Sequence, residues 1–333
     1  MKLSHCLAWM LCSLCCCLPA YATDLQPGTL DMHWNEGAAD CSKLPQPQPP
    51  LQVHRYNAQT FVLRESPCAT FEAPFMYLLL GSTRALLIDT GDVADPAQVP
   101  LAKTVMELLP GNGASKLPLL VVHTHGHLDH RRGDPQFQSL AHVQVVGTDL
   151  PHVQQFFGFS HWPEGVAQID LGDRTIDVLP TPGHYPSHVS YYDRNTGLFF
   201  SGDFFMPGRL IIDDTAQDVA SAKRVADFIR DRPVAAVLGG HVELDAKGET
   251  FDFGSSYHPN EHALALSKQD LLGLPAMVAK FNGFYTQDGM FIMFNQFRVL
   301  GAELAVTVLV LVAIVVLIWR WLRRRKRVRL ARA

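Results

Sequence analysis

Several short apolar runs in this chain end at a histidine or an aspartate, with glycine nearby. Four histidines and an aspartate stand in HTHGHLDH, residues 123–130, directly after the apolar run KLPLLVV. Three later runs end at His184 in TPGH, at Asp203 in FFSGD and at His241 in LGGH. Apolar runs of this length are typical of buried strands, and glycine in a strand allows close backbone approach. The pattern therefore predicts sheets whose strand ends carry imidazole and carboxylate groups.

Imidazole and carboxylate groups in this spacing are typical of zinc or iron sites near neutral pH. His125 and His127 are two residues apart and can turn toward one metal ion, while Asp129 and His130 can face a second. For the octapeptide alone, an accidental chelating loop on the surface is the alternative. The three further strand ends weaken that alternative, because each delivers another residue of the same chemical type. We expect His123 to be structural, since it points away from His125 along the strand.

The segments between these motifs alternate between strand-like and helix-like patterns. Paired strands are predicted for FMYLLLG and RALLIDTG, and a hairpin for HVSYYDRNTGLFFSGD, with Asn195, Thr196 and Gly197 in its turn. The apolar spacing of amphipathic helices occurs in PAQVPLAKTVMELLP and DVASAKRVADFIRDR. Short strands mixed with helices predict a layered protein of the α/β class, or α+β by some schemes. A folded domain is expected over residues 53–275, after a polar, proline-rich lead-in over residues 23–52. The prolines of its last part, residues 43–51, favour an extended linker.

The N-terminal residues 1–22 have the layout of a secretory signal peptide. Lys2 provides a positive start, an apolar stretch follows from Leu7 to Leu18, and a small-residue cleavage site is present at Ala20-Tyr21-Ala22. An uncleaved N-terminal anchor is the alternative. In either case the chain is predicted to be exported from the cytoplasm.

The C-terminal end carries an apolar segment and then a basic tail. Residues 304–319 hold no charge, and their neighbours extend the segment to 301–322, close to the ~20 residues that a spanning helix needs. A buried core helix is the alternative, but the basic residues of the tail at 323–333 favour a membrane span with a cytoplasmic C-terminus.

The two ends together predict the topology of the chain. It would cross the cytoplasmic membrane once, with its folded domain outside the cytoplasm, in the periplasm if the cell is bacterial. The membrane-proximal segment 276–300 is rich in Phe and Met. This segment is expected to lie on the bilayer surface or to pack on the domain as a helix.

The body between the two end segments is acidic. Nine of the 28 Lys and Arg residues lie in the predicted signal peptide or from Arg320 onward, which leaves 19 against 32 Asp and Glu residues. A binder of nucleic-acid phosphates normally has the opposite charge, so nucleic acid is not an expected partner. Five of the seven cysteines lie in the signal peptide, and Cys41 and Cys68 are expected to form a disulfide or to stay unpaired.

Taken together, these motifs resemble those of the metallo-β-lactamase superfamily. The resemblance covers roughly residues 53–241, where LLIDTG, HTHGHLDH, TPGH, FFSGD and LGGH occur in that family's order. It implies a four-layer αβ/βα sandwich with two zinc ions per chain at one edge of the two sheets, iron or manganese being the alternative metals. A complete second metal site with Asp203 as its bridge, and the segment SGDFFMPGR, resemble the glyoxalase II-like branch of this family.

The resemblance implies seven metal ligands in two groups. The ligands would be His125, His127 and His184 for the first ion, Asp129, His130 and His241 for the second, and Asp203 for both. Asp89 in LLIDTG would support the metal-binding loop from behind, with a turn-capping aspartate as the alternative.

The implied chemistry is hydrolysis of an acyl bond. Two metal ions that share a water lower its pKa and supply a hydroxide near neutral pH without a basic side chain. This hydroxide would attack the acyl carbon of an ester, a thioester or a lactone in a small molecule, while Asp129 helps the leaving group to depart. A β-lactam hydrolase is one alternative, and a non-catalytic metal-binding scaffold of the cell envelope is another.

A few residues outside the motifs are candidates for a substrate pocket. His188 follows His184 by one short turn and is expected either to reach the cavity or to be a hydrogen-bonded structural histidine. Tyr257, His258 and His262 come after the last motif. They are expected to shape the pocket or donate to an oxyanion, or else to lie in an ordinary polar loop.

Overall fold

The structure is a computed structural model that describes residues 25–113 and 116–330 of the 333-residue chain, with side chains in the last helix up to residue 324. The predicted signal peptide, residues 1–22, lies outside the described residues, and so does the end of the basic tail.

Within the described residues the chain forms two six-stranded sheets and one three-stranded sheet. In spatial order the first sheet consists of β1 (Leu51–Asn57), β2 (Thr60–Glu65), β3 (Phe75–Leu80), β4 (Ala85–Ile88), β5 (Leu119–Val122) and β6 (Val143–Val145). The second consists of β7 (Ala167–Asp170), β8 (Thr175–Pro180), β9 (Val189–Asp193), β10 (Leu198–Gly202), β12 (Ala236–Gly239) and β13 (Ala265–Leu266). The third consists of β11 (Arg209–Ile211), β15 (Phe291–Phe294) and β14 (Tyr285–Asp288). The helices are α1 (Leu101–Leu108), α2 (Leu128–Arg131), α3 (Leu150–Phe157), α4 (Thr215–Ile229), α5 (Lys268–Val278) and α6 (Gln296–Leu330).

Helices and the two large sheets stack in four layers. The inner faces of the sheets share one apolar core, in which the ring of Tyr77 from β3 lies 4.6 Å from that of Phe200 from β10. The outer face of the first sheet packs on α1, where Leu87 and Val105 belong to one buried cluster. The outer face of the second sheet packs on α4 and α5 through residues such as Val225. This arrangement confirms the predicted α/β class and the αβ/βα sandwich.

The strand directions bring the predicted ligand residues to sheet edges. β4 runs parallel to β5, and β10 runs parallel to β12, so the carboxyl ends in each pair lie side by side. Asp89 follows β4, residues 123–130 follow β5, Asp203 follows β10, and His241 lies two residues after β12. β8 has the same direction as β10 because both are antiparallel to β9. Therefore His184, which follows β8, lies at the same edge as Asp203.

The lead-in packs on the domain through its first part, before the Pro-rich end for which an extended linker is predicted. Leu30, Met32 and Trp34 lie against the core between the two large sheets. Alternate residues of an extended segment point to one face, which explains how all three side chains reach this core. Cys41 and Cys68 form a disulfide that ties the lead-in to the domain, as one of the two sequence expectations had it.

The membrane-proximal segment also differs from the expected helix. Residues 276–300 contain the end of α5, a hairpin of β14 and β15, and the start of α6. Gly283 and Gly289 adopt left-handed backbone, with φ of +84° and +61°, and such turns interrupt a helix. β15 pairs in parallel with β11, so the segment is part of the domain, and the expected domain end at residue 275 falls inside α5.

Helix α6 begins at Gln296, five residues before the predicted membrane span. The side-chain oxygen of Asn295 accepts a hydrogen bond from the backbone N–H of Arg298 at 2.9 Å, which is the bond of an N-cap residue. The most apolar 18-residue window of Gln296–Arg324 has a mean hydropathy of 2.8, and no share of that window is buried inside the described structure. By length and composition this helix could cross a membrane.

Candidate metal centre

Three of the predicted ligand histidines point ring nitrogens at one another. His125 Nε2 lies 3.0 Å from His127 Nδ1, and His184 Nε2 lies 3.2 Å and 3.0 Å from these two atoms. His184 donates its Nδ1–H to the carbonyl of Ile211 at 2.9 Å. This bond assigns the tautomer and leaves a lone pair on Nε2 that faces the other two nitrogens.

The spacing and protonation of this first group fit a metal ion. Nitrogen ligands lie about 2.0–2.1 Å from zinc, so two of them in a tetrahedral site are about 3.3 Å apart. The observed separations of 3.0 to 3.2 Å are close to that value. Burial holds the pKa of His125 well below its usual value and lowers the pKa of His127 and of His184. Neutral imidazole, the form favoured here, is the form that binds metal.

A second group combines two histidines with an aspartate. Asp129 Oδ2 lies 3.2 Å from both His130 Nε2 and His241 Nε2, and these two nitrogens are 3.3 Å apart. His130 donates its Nδ1–H to Asp89, and His241 donates its Nδ1–H to the carbonyl of Glu72 at 2.7 Å. Both Nε2 atoms therefore turn lone pairs toward the Asp129 carboxylate.

Electrostatics at the second group favour a cation. Burial alone would lower the pKa of His241, but the carboxylates of Asp203 and Asp129 outweigh it and raise the pKa to about 10. The same carboxylates outweigh burial at His130 and raise its pKa well above its usual value. In turn His130 holds the pKa of Asp129 well below its usual range, although burial opposes this. The site thus demands positive charge, whether a proton on each imidazole or a metal dication.

Asp203 lies between the two groups. Its Oδ2 is 3.9 Å from His125 Nε2 and 3.7 Å from His184 Nε2, whereas its Oδ1 is 3.4 Å from His130 Nε2. Oδ1 is buried and accepts no hydrogen bond within the described residues, an arrangement that is costly unless a cation lies beside it. A Cβ at position 240 would lie 2.3 Å from Oδ1, so Gly240 is needed for this approach. One oxygen toward each group is the geometry of a bridging carboxylate.

Asp89 holds the metal-binding loop from behind. Its Oδ1 accepts from the Thr124 backbone N–H at 2.7 Å, and its Oδ2 accepts from the Thr124 hydroxyl and from His130 Nδ1–H, both at 2.9 Å. Asp89 has left-handed backbone with φ of +65°, a conformation that aspartate tolerates better than most side chains. The carboxylate thereby fixes both the position of the loop and the tautomer of His130.

The two histidines that flank the first group have other partners. His188 is completely buried, its Nδ1 lies 2.8 Å from the Thr181 hydroxyl, and its ring stacks on that of His125. His188 therefore lies behind His125, and these contacts favour the structural interpretation of this histidine. His123 Nε2 lies 2.8 Å from an oxygen of Asp134, in agreement with the expected structural role.

The residues after the last motif form a loop beside the centre. His258 has both ring nitrogens engaged, by Glu261 at 3.1 Å and by the carbonyl of Ser255 at 2.9 Å. It lines a small pocket next to His241 that adjoins the large cavity over the centre, but His258 itself does not line that cavity. Tyr257 is exposed, and His262 Nδ1 donates to the next carbonyl along the chain. These contacts favour the polar-loop interpretation of all three residues.

A cavity of about 800 Å³ opens over both groups. The ligand-type residues in its lining are His127, Asp129, His184, Asp203 and His241. The rest of the lining is mostly apolar and includes Leu128, Met206, Phe253, Phe294, Val299 and Leu300. A centre that combines two cation sites with an adjoining cavity can bind an organic substrate next to the metals.

Sequence reasoning does not identify four further charged residues of the cavity lining, Glu72, Arg209, Glu243 and Glu303. Glu72 orients His241 through its backbone carbonyl, and burial raises the pKa of its carboxyl to about 7. Arg209 lies on β11 and is 3.6 Å from the carboxylate of Glu243. Glu72 stands in none of the quoted motifs and reaches the cavity only through tertiary packing, whereas Arg209 ends the segment SGDFFMPGR, in which nothing marks it as a cavity residue.

Comparisons with known proteins give one family. A family model described as the metallo-beta-lactamase superfamily matches residues 69–241. A hydroxyacylglutathione hydrolase of Methylobacillus flagellatus is 30% identical over 233 residues, which is 64% of this chain and 82% of that protein. The acyl-coenzyme A thioesterase MBLAC2 of Gallus gallus is 26% identical over 214 residues, 55% of this chain and 77% of that protein. Among solved structures, a metallo-beta-lactamase from Pontibacter korlensis has 16% identity and a TM-score of 0.47, over 69% of this chain and 100% of that chain.

Proposed function

Because the chain belongs to the metallo-beta-lactamase superfamily, we propose that it is a membrane-anchored hydrolase of acyl thioesters or esters that holds two metal ions. The observation that carries the proposal is the pair of ligand groups on either side of Asp203, both facing one cavity. Two relatives are named for cleavage of hydroxyacylglutathione and of acyl-coenzyme A. An acyl group joined to a thiol is common to both names, so a thioester is the favoured substrate bond.

Each part of the centre has a distinct task in this proposal. The first group, His125, His127 and His184, holds one ion with neutral imidazoles, and the second group holds the other ion with added negative charge. Asp203 gives one oxygen to each side. When bound, such ions lower the pKa of a coordinated water and polarise a carbonyl oxygen. Zinc fits the donor set of histidine and aspartate, with iron or manganese as alternatives.

A side chain of the protein also transfers the proton that the reaction releases. Water supplies the oxygen that becomes bonded to the acyl carbon, and the bond from that carbon to sulfur or oxygen breaks. The products are a carboxylic acid and a thiol or alcohol, so the leaving group must gain a proton. Asp129 lines the cavity, and in this proposal its carboxylate carries the proton from the water to the leaving group.

The proposed location combines both chain ends. Helix α6 anchors the chain in the cytoplasmic membrane, and the domain lies outside the cytoplasm, in the periplasm if the cell is bacterial. This location is supported by the signal-peptide layout of residues 1–22, by the apolar length of Gln296–Arg324 and by the Cys41–Cys68 disulfide. Disulfides persist mainly in oxidising compartments outside the cytosol.

The test is turnover by the full chain, supplied with zinc, on a panel of thioesters, esters, lactones and β-lactams. His127→Gln is expected to lower kcat/KM for the best substrate by on the order of a thousandfold, since a metal ion contributes several kcal/mol to such chemistry. The matched control is His123→Gln in the same octapeptide, which is expected to keep turnover because His123 faces Asp134 rather than the centre. Thermal melting of both variants checks that they fold.

The outcomes separate the proposal from its alternatives. Hydrolysis of thioesters that depends on His127 supports it. Hydrolysis confined to β-lactams would overturn the proposed substrate bond in favour of a β-lactam hydrolase. A folded chain with two metal ions and no turnover on the whole panel would instead support the metal-binding scaffold.

A further inference from the structure

The cavity over the metal centre includes the start of the membrane-type helix. Val299 and Leu300, in the first two turns of α6, line the same cavity as His127. Phe294, the last residue of β15, lines it as well. Gln296 and Glu303 of the same helix also line the cavity, so its wall on α6 combines two apolar and two polar residues. This wall belongs to the helix Gln296–Arg324, which is apolar enough to cross a membrane.

The start of α6 is fixed to the strand that orients one of the centre's histidines. Asn295 is buried and donates through Nδ2 to the carbonyls of Ile212 at 2.9 Å and Asp213 at 3.0 Å. The residue before them, Ile211, accepts the Nδ1–H of His184. Because β11 and β15 also pair, α6 cannot move away from the metal centre without loss of these hydrogen bonds. The cavity is thus held at the level where the helix would enter a bilayer.

Large apolar side chains around the cavity are exposed. Leu128, Phe253 and Leu300 all line it, and they are 49%, 79% and 64% exposed. Phe297, on the same end of α6, is 66% exposed. Exposed apolar groups concentrated at one site mark a surface that meets a membrane or an apolar ligand. At this site the attachment to α6 favours the membrane.

We propose that the substrate is an amphiphilic ester or thioester that enters from the bilayer surface, with its acyl chain along Phe294, Val299 and Leu300. This inference rests on the proposed function and adds the class of substrate. The polar end of the molecule faces the ligand groups, where the acyl bond is cleaved, and the chain extends toward the membrane. An acyl chain of growing length therefore contacts more of the apolar wall.

The first experiment measures kcat/KM of the full chain in lipid nanodiscs on thioesters of one thiol with acyl chains from acetyl to decanoyl. Each methylene that leaves water is expected to raise kcat/KM by up to about fourfold until the wall is filled. Leu300→Gln is expected to reduce the ratio between decanoyl and acetyl substrates by about tenfold. The matched control is Leu309→Gln, because Leu309 is 68% exposed on α6 and lies six residues beyond Glu303, the last residue of this helix in the cavity lining. That variant is expected to keep the wild-type ratio.

The second experiment does not depend on turnover. A decanoic acid with a terminal diazirine is photolysed with the full chain in nanodiscs, and the labelled residues are mapped by mass spectrometry. Labels are expected at cavity residues of the domain, Met206 and Phe253, and they should decrease with excess decanoate and in Leu300→Gln.

The two experiments distinguish the inference from the proposed function. Equal kcat/KM for acetyl and decanoyl thioesters, with labels confined to residues beyond 304, would overturn the inference while the hydrolase proposal stands. Labels at Met206 and Phe253 in a chain that hydrolyses no thioester would support the amphiphile site and contradict the proposed reaction.

Discussion

Replacing Asp89 by asparagine should weaken one metal position and spare the other. Asp89 Oδ2 accepts from both the Thr124 hydroxyl and His130 Nδ1–H at 2.9 Å, while Oδ1 accepts from the Thr124 N–H. Asparagine keeps one accepting oxygen and turns an NH2 group toward His130. The His130 Nδ1 must then accept a hydrogen bond, so its proton moves to Nε2 and removes the lone pair that faces the second group.

The size of the effect follows from this tautomer change. Partners that orient a ligand histidine are worth about 10- to 100-fold in metal affinity, which is about 1.4–2.7 kcal/mol. The loss should fall on the group of Asp129, His130 and His241. The group of His125, His127 and His184 has no direct hydrogen bond to Asp89 and is linked to it only through the Thr124 hydroxyl, 3.1 Å from His125 Nδ1, so its affinity should fall less than that of the second group.

The assay is competition for zinc with a chromophoric chelator, which resolves two binding constants per chain. The matched control is Asp134→Asn, because Asp134 binds His123 at 2.8 Å and the Thr90 hydroxyl at 2.8 Å in the same region. His123 of this second aspartate–histidine pair is not a predicted metal ligand, so the zinc affinities of both metal positions should be unchanged in Asp134→Asn. Equal losses at both positions in Asp89→Asn, or the same losses in the control, would refute the role given to Asp89.

Three further predictions concern Gly240, Asp218 and Cys68. Gly240→Ala should lower metal affinity and turnover together, because the added Cβ would lie 2.3 Å from Asp203 Oδ1. Gly273→Ala is the control and should leave both quantities unchanged, because a Cβ there meets no atom within 4 Å. Equal behaviour of the two variants would contradict this prediction. Burial raises the pKa of Asp218 from 3.8 to about 8, so its protonated form stabilises the fold below pH 4 and that contribution is lost as pH rises toward 8. Asp218→Asn should therefore gain melting temperature relative to the wild type between pH 5 and pH 8, and parallel melting curves across that range would show the opposite. Cys68→Ser opens a loop with a sequence separation of 27 and should lower the free energy of unfolding by about 3–4 kcal/mol in denaturant titration; a change below about 1 kcal/mol would mean that the lead-in is held by Leu30 and its apolar neighbours alone.

The sandwich and the ligand pattern could be predicted because both are written in local sequence. Strand ends at His184, Asp203 and His241 follow short apolar runs, and parallel pairing then brings such ends to one edge. Asp89 follows the apolar strand β4 in the same way. Residue type and spacing were therefore sufficient to predict most of the candidate site.

The features that sequence reasoning missed depend on partners that are distant in the chain. β15 pairs with β11, which lies about 80 residues earlier, and this pairing makes the hairpin of β14 and β15 part of the domain. The lead-in has a usable signal, since Leu30, Met32 and Trp34 alternate as in a strand, but its prolines dominate the composition. The surroundings of His258 and His188 likewise depend on the fold, because both ring nitrogens of His258 have hydrogen-bond partners in its loop and His188 lies buried behind His125.

The central claim is that one folded chain holds two metal ions on either side of Asp203. The most direct measurement is the metal content of the purified full chain, by inductively coupled plasma mass spectrometry against protein concentration from amino-acid analysis. The expected result is close to two ions per chain in the wild type and a clear loss of metal in Asp203→Asn, with the fold intact by circular dichroism. A folded wild-type chain that retains no metal after incubation with zinc, or that binds one ion regardless of Asp203, would contradict the account.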